Sequence, residues 1–275
     1  MNLDNIMMNE EKKEVIFLLG ATGGIGKLLA EELKKNGYIV VGNGRREEVL
    51  ISMKNEGKID DYVVGDLTKD DSTKDDGRKK IIEKIKEYVN KGYKVTVFYN
   101  IGILYDYPGE FKNYTNKMID DSYEINVKSI EKMDRELEEN GLYLDTIYMV
   151  SISAFYRGNW DHEYQKTKAA LKAHTELQIL NSNGRRIIAL FPDTIKTGEE
   201  GMGSKLKEYP KIPGGIFVKK VVEIINGKYK EYSGFIFEID NNNIIKLYGM
   251  NPSKITNAFE YLEKEFIEEI GKAVY

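Results

Sequence analysis

The stretch that decides the fold is VIFLLGATGGIG, residues 15–26. A short unbroken apolar run is typical of a strand that is covered on both faces of a parallel sheet. The glycines that follow it lead into an amphipathic segment, residues 25–36, with the 3.6-residue period of a helix. Taken alone these glycines could form a simple turn. Between a strand and a helix, however, they let the backbone approach a phosphate, which the positive end of the helix then holds.

The rest of the chain alternates in the same way. Apolar, β-branched runs predict further strands at residues 38–41, 62–64, 95–99, 146–152, 187–191 and 235–239. Helix-period segments lie between most of them, at residues 78–89, 116–139, 164–180 and 217–225. Parallel strands need crossover connections, and helices provide them. We therefore predict a single Rossmann-like, doubly wound parallel sheet of about seven strands, flanked by helices.

The two ends of the chain differ from this pattern. Residues 1–13 are polar and are predicted to be a flexible N-terminal segment, so that residues 14–275 form one catalytic domain. Residues 240–275 are predicted to be a C-terminal appendage of that domain, with an extra strand at 244–248 and a helical extension near 252–270. The charged stretch 68–80 reads as a solvated loop entering a helix.

Composition excludes several functional classes. Hydrophobic residues make up 41% and charged residues 31% of the 275 positions, which is an ordinary globular mixture. A net charge of −4 argues against nucleic acid or an anionic membrane as a general partner. There is no cysteine, and the only histidines are His162 and His174, so no metal site is predicted. No apolar run reaches the roughly 18 residues of a membrane span, and a cytoplasmic location is predicted.

The second predicted strand is followed by GNGRR, residues 42–46. An NAD enzyme carries an acidic residue here to bind the ribose 2′-hydroxyl. Arginine instead grips a 2′-phosphate with paired, charge-assisted hydrogen bonds. We therefore predict that NADP(H) is preferred over NAD(H), with Arg45 as the main contact and Arg46 towards solvent. The alternative is a solvated arginine pair that opens a helix.

A second motif is Tyr164-x-x-x-Lys168. Residues four apart share one face of a helix, so the phenol and the ammonium are predicted to face one cleft. Alone the motif is weak in a chain with 19 tyrosines. Ser151 stands thirteen residues before Tyr164, at the predicted end of the fifth strand. Ser153, two positions on and therefore on the same strand face, is the alternative serine.

These motifs, in this order, resemble the short-chain dehydrogenase/reductase family over residues 15–239. The resemblance includes Gly-x-x-x-Gly-x-Gly, a segment like Asn-Asn-Ala-Gly after the fourth strand, and a Pro-x-x-x-x-Thr segment after the sixth. It implies a catalytic set of Asn126, Ser151, Tyr164 and Lys168. It implies, together with the two arginines, a cofactor site of Gly20, Thr22, Gly23, Gly24, Ile25, Gly26, Asp66, Leu67, Asn100, Gly102, Tyr164, Lys168, Pro192, Ile195 and Thr197. The departures from the family pattern are Leu19, Tyr99, Ile101 and Asp193, and the bulk of Tyr99 and Ile101 predicts altered packing beneath the nicotinamide ribose.

The resemblance also implies a reaction. Hydride passes between nicotinamide and a carbonyl or alcohol carbon, as in a ketoreductase, while Tyr164 acts as general acid/base and Ser151 bonds the same oxygen. Lys168 lowers the pKa of Tyr164 and holds the nicotinamide ribose, and Asn126 positions a water that links Lys168 to solvent. The alternatives are a catalytically silent NADP-binding regulatory protein, a sugar-nucleotide-modifying relative and a structural scaffold. A homo-oligomer, dimer or tetramer, is expected, with helices 116–139 and 164–180 at the interface.

The sequence says less about the substrate, which is expected to be a small carbonyl or alcohol compound. Three segments are predicted to border the cleft, at residues 103–108, 155–162 and 198–213. The last is rich in glycine and proline and would suit a lid. The candidate substrate contacts are Ser153, Tyr156, Trp160 and Met202. A surface position is expected for His162, because the Tyr–Lys pair already supplies the acid/base.

Overall fold

A computed structural model describes residues 14–69, 76–105, 115–155, 162–197, 211–228, 235–239 and 245–249. The strands are β1 (Glu14–Leu19), β2 (Ile39–Gly44), β3 (Asp61–Val64), β4 (Lys94–Tyr99), β5 (Asp145–Met149), β6 (Ile187–Pro192), β7 (Ile195–Lys196), β8 (Ile212–Pro213), β9 (Phe235–Ile239) and β10 (Ile245–Gly249). The helices are α1 (Gly24–Lys35), α2 (Glu47–Asn55), α3 (Gly77–Asn90), α4 (Asn116–Tyr123), α5 (Ser129–Glu139), α6 (His162–Leu180) and α7 (Gly214–Ile225). A π-helical turn (Glu124–Lys128) joins α4 to α5, and a 3₁₀ turn (Ile152–Ala154) follows β5.

The main sheet has the strand order β10–β9–β6–β5–β4–β1–β2–β3. Neighbouring strands are parallel throughout, except that β10 is antiparallel to β9. The short strands β7 and β8 pair with each other outside this sheet. The predicted doubly wound parallel sheet flanked by helices is therefore confirmed. In the part of the chain that the structure describes, no helix is both long and apolar enough to cross a membrane.

Apolar side chains cover both faces of the sheet. Successive residues of a strand point to opposite faces. In β1, Phe17 and Leu19 join one core with α3, α5 and α6, whereas Ile16 and Leu18 join a second core with α1, α2 and α7. Each of these buried side chains contributes roughly 1.5–3 kcal/mol relative to an exposed one. Two-sided burial explains why the strands read as unbroken apolar runs.

Three local features differ from the sequence prediction. Strand β5 ends at Met149 rather than at residue 152, because the chain turns into the 3₁₀ segment. Helix α2 was not predicted. The predicted helix over residues 116–139 has the right bounds, but the π-turn interrupts it. The predicted helical extension near residues 252–270 lies outside the described residues.

A buried polar cluster, formed by Tyr99, Asp134, Tyr148 and His174, joins β4, β5, α5 and α6. The Asp134 carboxylate accepts from the Tyr99 hydroxyl at 2.6 Å and from the Tyr148 hydroxyl at 2.7 Å, and lies 2.7 Å from Nε2 of His174. The two tyrosine rings stack with centroids 5.2 Å apart. The Tyr99 ring is fully buried in this cluster, and altered packing beneath the nicotinamide ribose stays a prediction.

The order of the strands fixes where a ligand would bind. Strands β2 and β3 lie on one side of β1, and β4, β5 and β6 lie on the other. In open α/β sheets a crevice forms at such a reversal, outside the carboxyl ends of the strands. The glycine turn follows β1 and Asn100 follows β4 at this edge. The fold thus brings the two predicted cofactor segments together.

Gly26, in the first turn of α1, has no room for a side chain. A Cβ there would lie 2.2 Å from the Gly20 carbonyl oxygen and 2.7 Å from that of Ala21. We expect Gly26→Ala to lower the free energy of unfolding by about 1–3 kcal/mol, measured by urea denaturation, because backbone atoms must move. The control is Gly215→Ala in α7, where a Cβ would meet nothing within 4 Å. It should leave stability unchanged or raise it by up to about 1 kcal/mol, and equal losses in both variants would contradict the prediction.

Candidate active site

The glycine turn is held by the two strands beside β1. The backbone N–H groups of Gly20 and Ala21 donate to the Asn43 carbonyl at 3.1 and 2.9 Å. The Asn100 side chain donates to the Gly20 carbonyl at 3.1 Å. Gly20 has φ +87°, and a Cβ there would lie 2.5 Å from the Asn100 carbonyl oxygen. Only glycine fits this position without strain.

The N-terminus of α1 is suited to bind a phosphate. The first N–H groups of a helix have no partner within the helix. Here Gly23, the N-cap, supplies no side-chain cap, and the first turn contains no acidic residue. A Cβ at Gly23 would meet only the Gly20 carbonyl, at 3.8 Å, so the backbone stays accessible on that side. Helix N–H groups and an uncompensated positive dipole fit the pyrophosphate of a dinucleotide.

Three other predicted cofactor residues adjoin this helix end. A Cβ at Gly24 would lie 2.8 Å from Cβ of Thr197, so these two residues are in direct contact. Thr22 is buried against Gly44, the last residue of β2. Ile25 is half-buried and packs on the core shared with α7. The fold therefore brings the segment after β6 to the glycine turn, as the resemblance implies.

The two arginines after β2 differ in their contacts. Nη1 of Arg45 lies 3.8 Å from Oδ2 of Asp66, and the Arg45 side chain is 68% exposed. Arg46 is also exposed, but its guanidinium donates to the Thr22 carbonyl of the glycine turn. The prediction that Arg46 points towards solvent agrees with its exposure, and its guanidinium also contacts the glycine turn. Both arginines directly follow β2, at the edge of the sheet that carries the glycine turn.

The remaining predicted cofactor residues come after β3 and β6. Oδ1 of Asp66 accepts from the backbone and the hydroxyl of Thr68 at 3.0 and 2.8 Å. Leu67 is buried. Pro192 ends β6, and Ile195 begins β7 and is half-buried. Asp193, in place of the family's glycine, accepts from the Thr194 amide through its own carboxylate at 2.6 Å.

Asn126 lies in the π-turn and is fully buried. Its Oδ1 accepts from the Ile103 amide at 2.7 Å, and its Nδ2 donates to the Ile103 carbonyl at 2.9 Å. Nδ2 also lies 3.1 Å from Oγ1 of Thr167 and 3.3 Å from Oγ of Ser122. The amide thus clamps the chain that follows β4. The role of Asn126 in holding a water stays a prediction.

Lys168 is buried close to Tyr164. Its side chain projects to the end of β5, where Nζ lies 3.5 Å from the Met149 carbonyl oxygen. Nζ is 5.5 Å from the centroid of the Tyr164 ring, and a Cβ at Gly102 would lie 3.3 Å from Nζ. Burial lowers the pKa of Lys168 to about 8. The structure therefore brings Lys168 and Asn126 together at Gly102, with the Tyr164 ring beside the Lys168 ammonium.

Ser151 and Ser153 contact each other just after β5. The Ser151 hydroxyl donates to Oγ of Ser153 at 3.1 Å and accepts from the Ser153 amide at 3.2 Å. Ser153 is buried in the 3₁₀ turn, whereas Ser151 is half-buried. The expectation that they share a strand face is wrong, because β5 has already ended. The turn places the Ser151 hydroxyl at the end of the strand whose carbonyl faces Lys168.

A family model, described as short chain dehydrogenase, matches residues 14–202. This is well over half of the chain, and it includes the glycine turn, the π-turn and α6. This protein belongs to the short-chain dehydrogenase family. The family comprises oxidoreductases that use a nicotinamide cofactor.

Individual relatives are more distant. Hydroxysteroid dehydrogenase-like protein 1 of Gallus gallus is 32% identical over 119 residues, which are 42% of this chain and 34% of that protein. The chain thus spans about a third of that relative. Similar solved structures include a glucose dehydrogenase of Caenorhabditis elegans in the apo form (TM-score 0.67, 17% identity, 86% of this chain and 99% of that one) and a short-chain dehydrogenase from Streptomyces avermitilis (0.67, 16%, 98% and 100%). A structure of ElxO with NADP bound has TM-score 0.66 and 21% identity, covering 84% of this chain and 98% of that one.

Parts of the predicted substrate cleft of this short-chain dehydrogenase lie outside the described residues, namely Tyr156, Trp160 and Met202. Of the segment 103–108, residues 103–105 are described, and Tyr105 donates to Oδ2 of Asp121 on α4 at 3.4 Å. His162 begins α6.

Sequence reasoning missed two polar residues that hold the site of this short-chain dehydrogenase. Asn43 is buried in β2, where its side chain donates to the carbonyls of Val63 and Gly65 at 3.0 and 3.2 Å. A polar residue between two glycines inside an apolar strand was a signal for it. Thr167, inside the Tyr-x-x-x-Lys motif, bonds Asn126. No local pattern marks that contact, because the two residues are 41 positions apart.

Proposed function

We propose that this short-chain dehydrogenase is an NADP(H)-dependent oxidoreductase that reduces a carbonyl to an alcohol, or runs the reverse reaction, with Tyr164 as general acid/base. The observation that carries the proposal is the buried Lys168 ammonium, placed beside the Tyr164 ring and against Gly102. Among the described residues no carboxylate forms a salt bridge with Lys168. Burying an unpaired ammonium is costly, which favours a functional reason for its position.

Tyr164 and Ser151 act on the substrate oxygen. In the reducing direction the Tyr164 hydroxyl donates its proton to the oxygen as negative charge develops there, and Ser151 donates a hydrogen bond to the same oxygen. Both interactions strengthen in the transition state, which is where catalysis gains. We favour Ser151 over Ser153, since Ser151 is more exposed. When the Ser151 hydroxyl donates to the substrate, Ser153 would donate to Oγ of Ser151 across the same 3.1 Å contact.

Lys168 makes Tyr164 a usable acid and base. An ordinary phenol ionises near pH 10, and a nearby positive charge favours its phenolate form. Because the pKa of Lys168 is about 8, the amine is mostly protonated at neutral pH. The proton can therefore leave Tyr164 and return to it without a large energetic penalty.

The residues at the glycine turn fit the cofactor. The open helix end takes the pyrophosphate, and Asp66 and Leu67 would lie at the adenine. Asn100 and Gly102 would lie beneath the nicotinamide half, with Pro192, Ile195 and Thr197 beside its amide. When bound, the nicotinamide supplies or accepts the hydride at the substrate carbon.

The first test of the proposal uses the purified chain. NADPH fluorescence titration should show saturable binding, and a panel of ketones and aldehydes should yield NADPH oxidation with at least one compound. Saturable binding without turnover on any compound would instead favour a silent regulatory protein. Turnover of a nucleotide sugar alone would favour the sugar-nucleotide alternative.

NADP preference rests on Arg45 and Arg46, on the absence of an acid directly after β2 and, by likeness of fold, on NADP in the ElxO structure. We expect Arg45→Asp to weaken NADPH binding by about 10- to 100-fold, because charge-assisted hydrogen bonds contribute about 1.5–3 kcal/mol. NADH binding should change little. The control is Arg135→Asp, an exposed arginine on α5. Equal losses for both cofactors in the fluorescence titration would overturn the preference.

We also propose that residues 14–275 form one catalytic domain, with residues 240–275 as its appendage, and that the protein is a homo-oligomer. Exposed Leu177 and Leu180 on α6 support pairing through this helix. Sedimentation velocity tests the assembly, and a monomer at micromolar concentration would refute it. Limited proteolysis tests the domain, since a stable cut inside it would divide it.

A further inference from the structure

We propose that Thr167 is a positioning residue for the reaction: its hydroxyl ties Asn126 to the turn of α6 that carries Tyr164 and Lys168. The inference rests on the proposed function. It assigns to Thr167 no contact with substrate or cofactor. Its role is to fix the positions of the Tyr164 hydroxyl and the Lys168 ammonium relative to the chain that follows β4.

The Thr167 hydroxyl has a partner on each side. Oγ1 donates to the Tyr164 carbonyl at 2.8 Å. The same atom accepts from Nδ2 of Asn126 at 3.1 Å. Threonine in a helix often bonds a carbonyl three or four residues back, so the first contact is ordinary. The second contact is not local, and it joins α6 to the π-turn.

The contact extends to the cofactor side of the site. Asn126 holds both the amide and the carbonyl of Ile103. Gly102, next in the chain, is the residue against which Nζ of Lys168 packs. A continuous path of hydrogen bonds therefore runs from the peptide of Tyr164 to the peptide of Ile103. Thr167 is the link in this path between α6 and Asn126.

The contact between Thr167 and Asn126 is shielded from bulk solvent. Thr167 is 2% exposed and Asn126 is 0% exposed, so water has little access to replace the contact. A valine has the same shape but neither donates nor accepts. Loss of the Thr167 hydroxyl would still leave Asn126 with partners, because Ser122 and the Ile103 carbonyl remain acceptors for Nδ2. We therefore expect the substitution to change the positions of Tyr164 and Lys168 more than the free energy of unfolding.

Thr167→Val tests this directly. We expect kcat for carbonyl reduction to fall about tenfold, with KM for the carbonyl and Kd for NADPH within about twofold, because a small misplacement of a catalytic group mainly affects the chemical step. Thr167→Ser keeps the hydroxyl and should restore most of kcat. The matched control is Thr175→Val, two turns further along α6. Thr175 is equally buried, and its hydroxyl donates to the Leu171 carbonyl at 2.8 Å.

A second readout does not depend on activity. The Ile103 amide donates to Oδ1 of Asn126, so the rate of its hydrogen exchange in the cofactor-free protein reports whether Asn126 keeps its position. Thr167→Val should speed this exchange by about tenfold, Thr167→Ser and Thr175→Val by much less. Urea denaturation of Thr167→Val and Thr175→Val should give similar midpoints.

The outcomes separate the two proposals. If Tyr164→Phe abolishes turnover but Thr167→Val keeps both kcat and Ile103 exchange, the positioning role is wrong and the proposed function stands. If Thr167→Val speeds Ile103 exchange as expected but Tyr164→Phe keeps the wild-type turnover, the contact of Thr167 with Asn126 does hold Ile103 and the proposed function is wrong. A loss of kcat that Thr167→Ser does not restore, or that Thr175→Val matches, would also overturn the positioning role.

Discussion

Tyr164→Phe should lower kcat for carbonyl reduction by about 10³-fold, since general acid catalysis typically contributes about 10²–10⁴. The substitution removes only the hydroxyl. The ring that faces Lys168 at 5.5 Å is kept, and so is the helix that carries it. NADPH affinity should therefore change by less than about threefold, because the binding residues at the glycine turn are untouched. Steady-state NADPH oxidation and fluorescence titration measure the two quantities.

The control for this variant is Tyr143→Phe. Tyr143 is 61% exposed, and the Arg185 guanidinium lies over its ring. It precedes β5 and therefore lies at the amino ends of the strands, opposite the edge that carries the glycine turn. Losing its hydroxyl should leave kcat unchanged. If Tyr164→Phe keeps more than about a tenth of the wild-type kcat, another group supplies the proton and the assignment of Tyr164 fails.

The fold was predictable because its signals are local. Each strand is an apolar run, and each crossover helix has its own period, so alternation alone gives a doubly wound sheet. The glycine turn was also predictable, since steric limits at Gly20 and Gly26 act over a few residues. These features depend on neighbours in the sequence, and the sequence displays them directly.

The site was harder to predict because its contacts are distant in sequence. Asn126 could be placed only through family resemblance, and nothing in a helix-period segment indicates a π-turn. That turn is held by Ile103 and Thr167, which lie 23 and 41 positions away from Asn126. The end of β5 was misplaced for a related reason. Residues 150–152 are apolar enough for a strand except at Ser151, yet they turn to place the serine hydroxyl.

The buried polar cluster around Asp134 was not predicted from the sequence. It is the basis for a large expected loss of stability when Asp134 is replaced. Tyr99, Tyr148 and His174 lie 35, 14 and 40 positions from Asp134. Burial, reinforced by the Asp134 charge, raises the pKa of both tyrosines well above the usual value. Both phenols therefore stay protonated and donate to the carboxylate.

The residues of this cluster also adjoin the candidate site residues along the chain. Tyr99 precedes Asn100 in the chain, and Tyr148 precedes Met149, whose carbonyl faces Lys168. Asp134 and His174 sit on the helices that continue from the π-turn and from Tyr164. One carboxylate thus joins α6, which carries Tyr164 and Lys168, to three elements that adjoin other candidate site residues.

Asp134→Ala should lower the free energy of unfolding by about 3–5 kcal/mol, because it leaves the buried hydroxyls of Tyr99 and Tyr148 without their acceptor and removes the contact with His174. Asp120→Ala, at an exposed position on α4, is the control and should stay within about 0.5 kcal/mol of wild type. Urea denaturation measures both. A loss below about 1 kcal/mol in Asp134→Ala would mean that the carboxylate contributes little to stability.

A double-mutant cycle shows whether the loss comes from unpaired donors. Tyr99→Phe alone should cost about 1–2 kcal/mol, since it removes a hydrogen bond to a charged group. In the Asp134→Ala background the Tyr99 hydroxyl has lost that acceptor, so removing it should cost nothing or restore stability. Additive losses would contradict this account, because they would show that Tyr99 and Asp134 act independently in spite of the 2.6 Å contact between them.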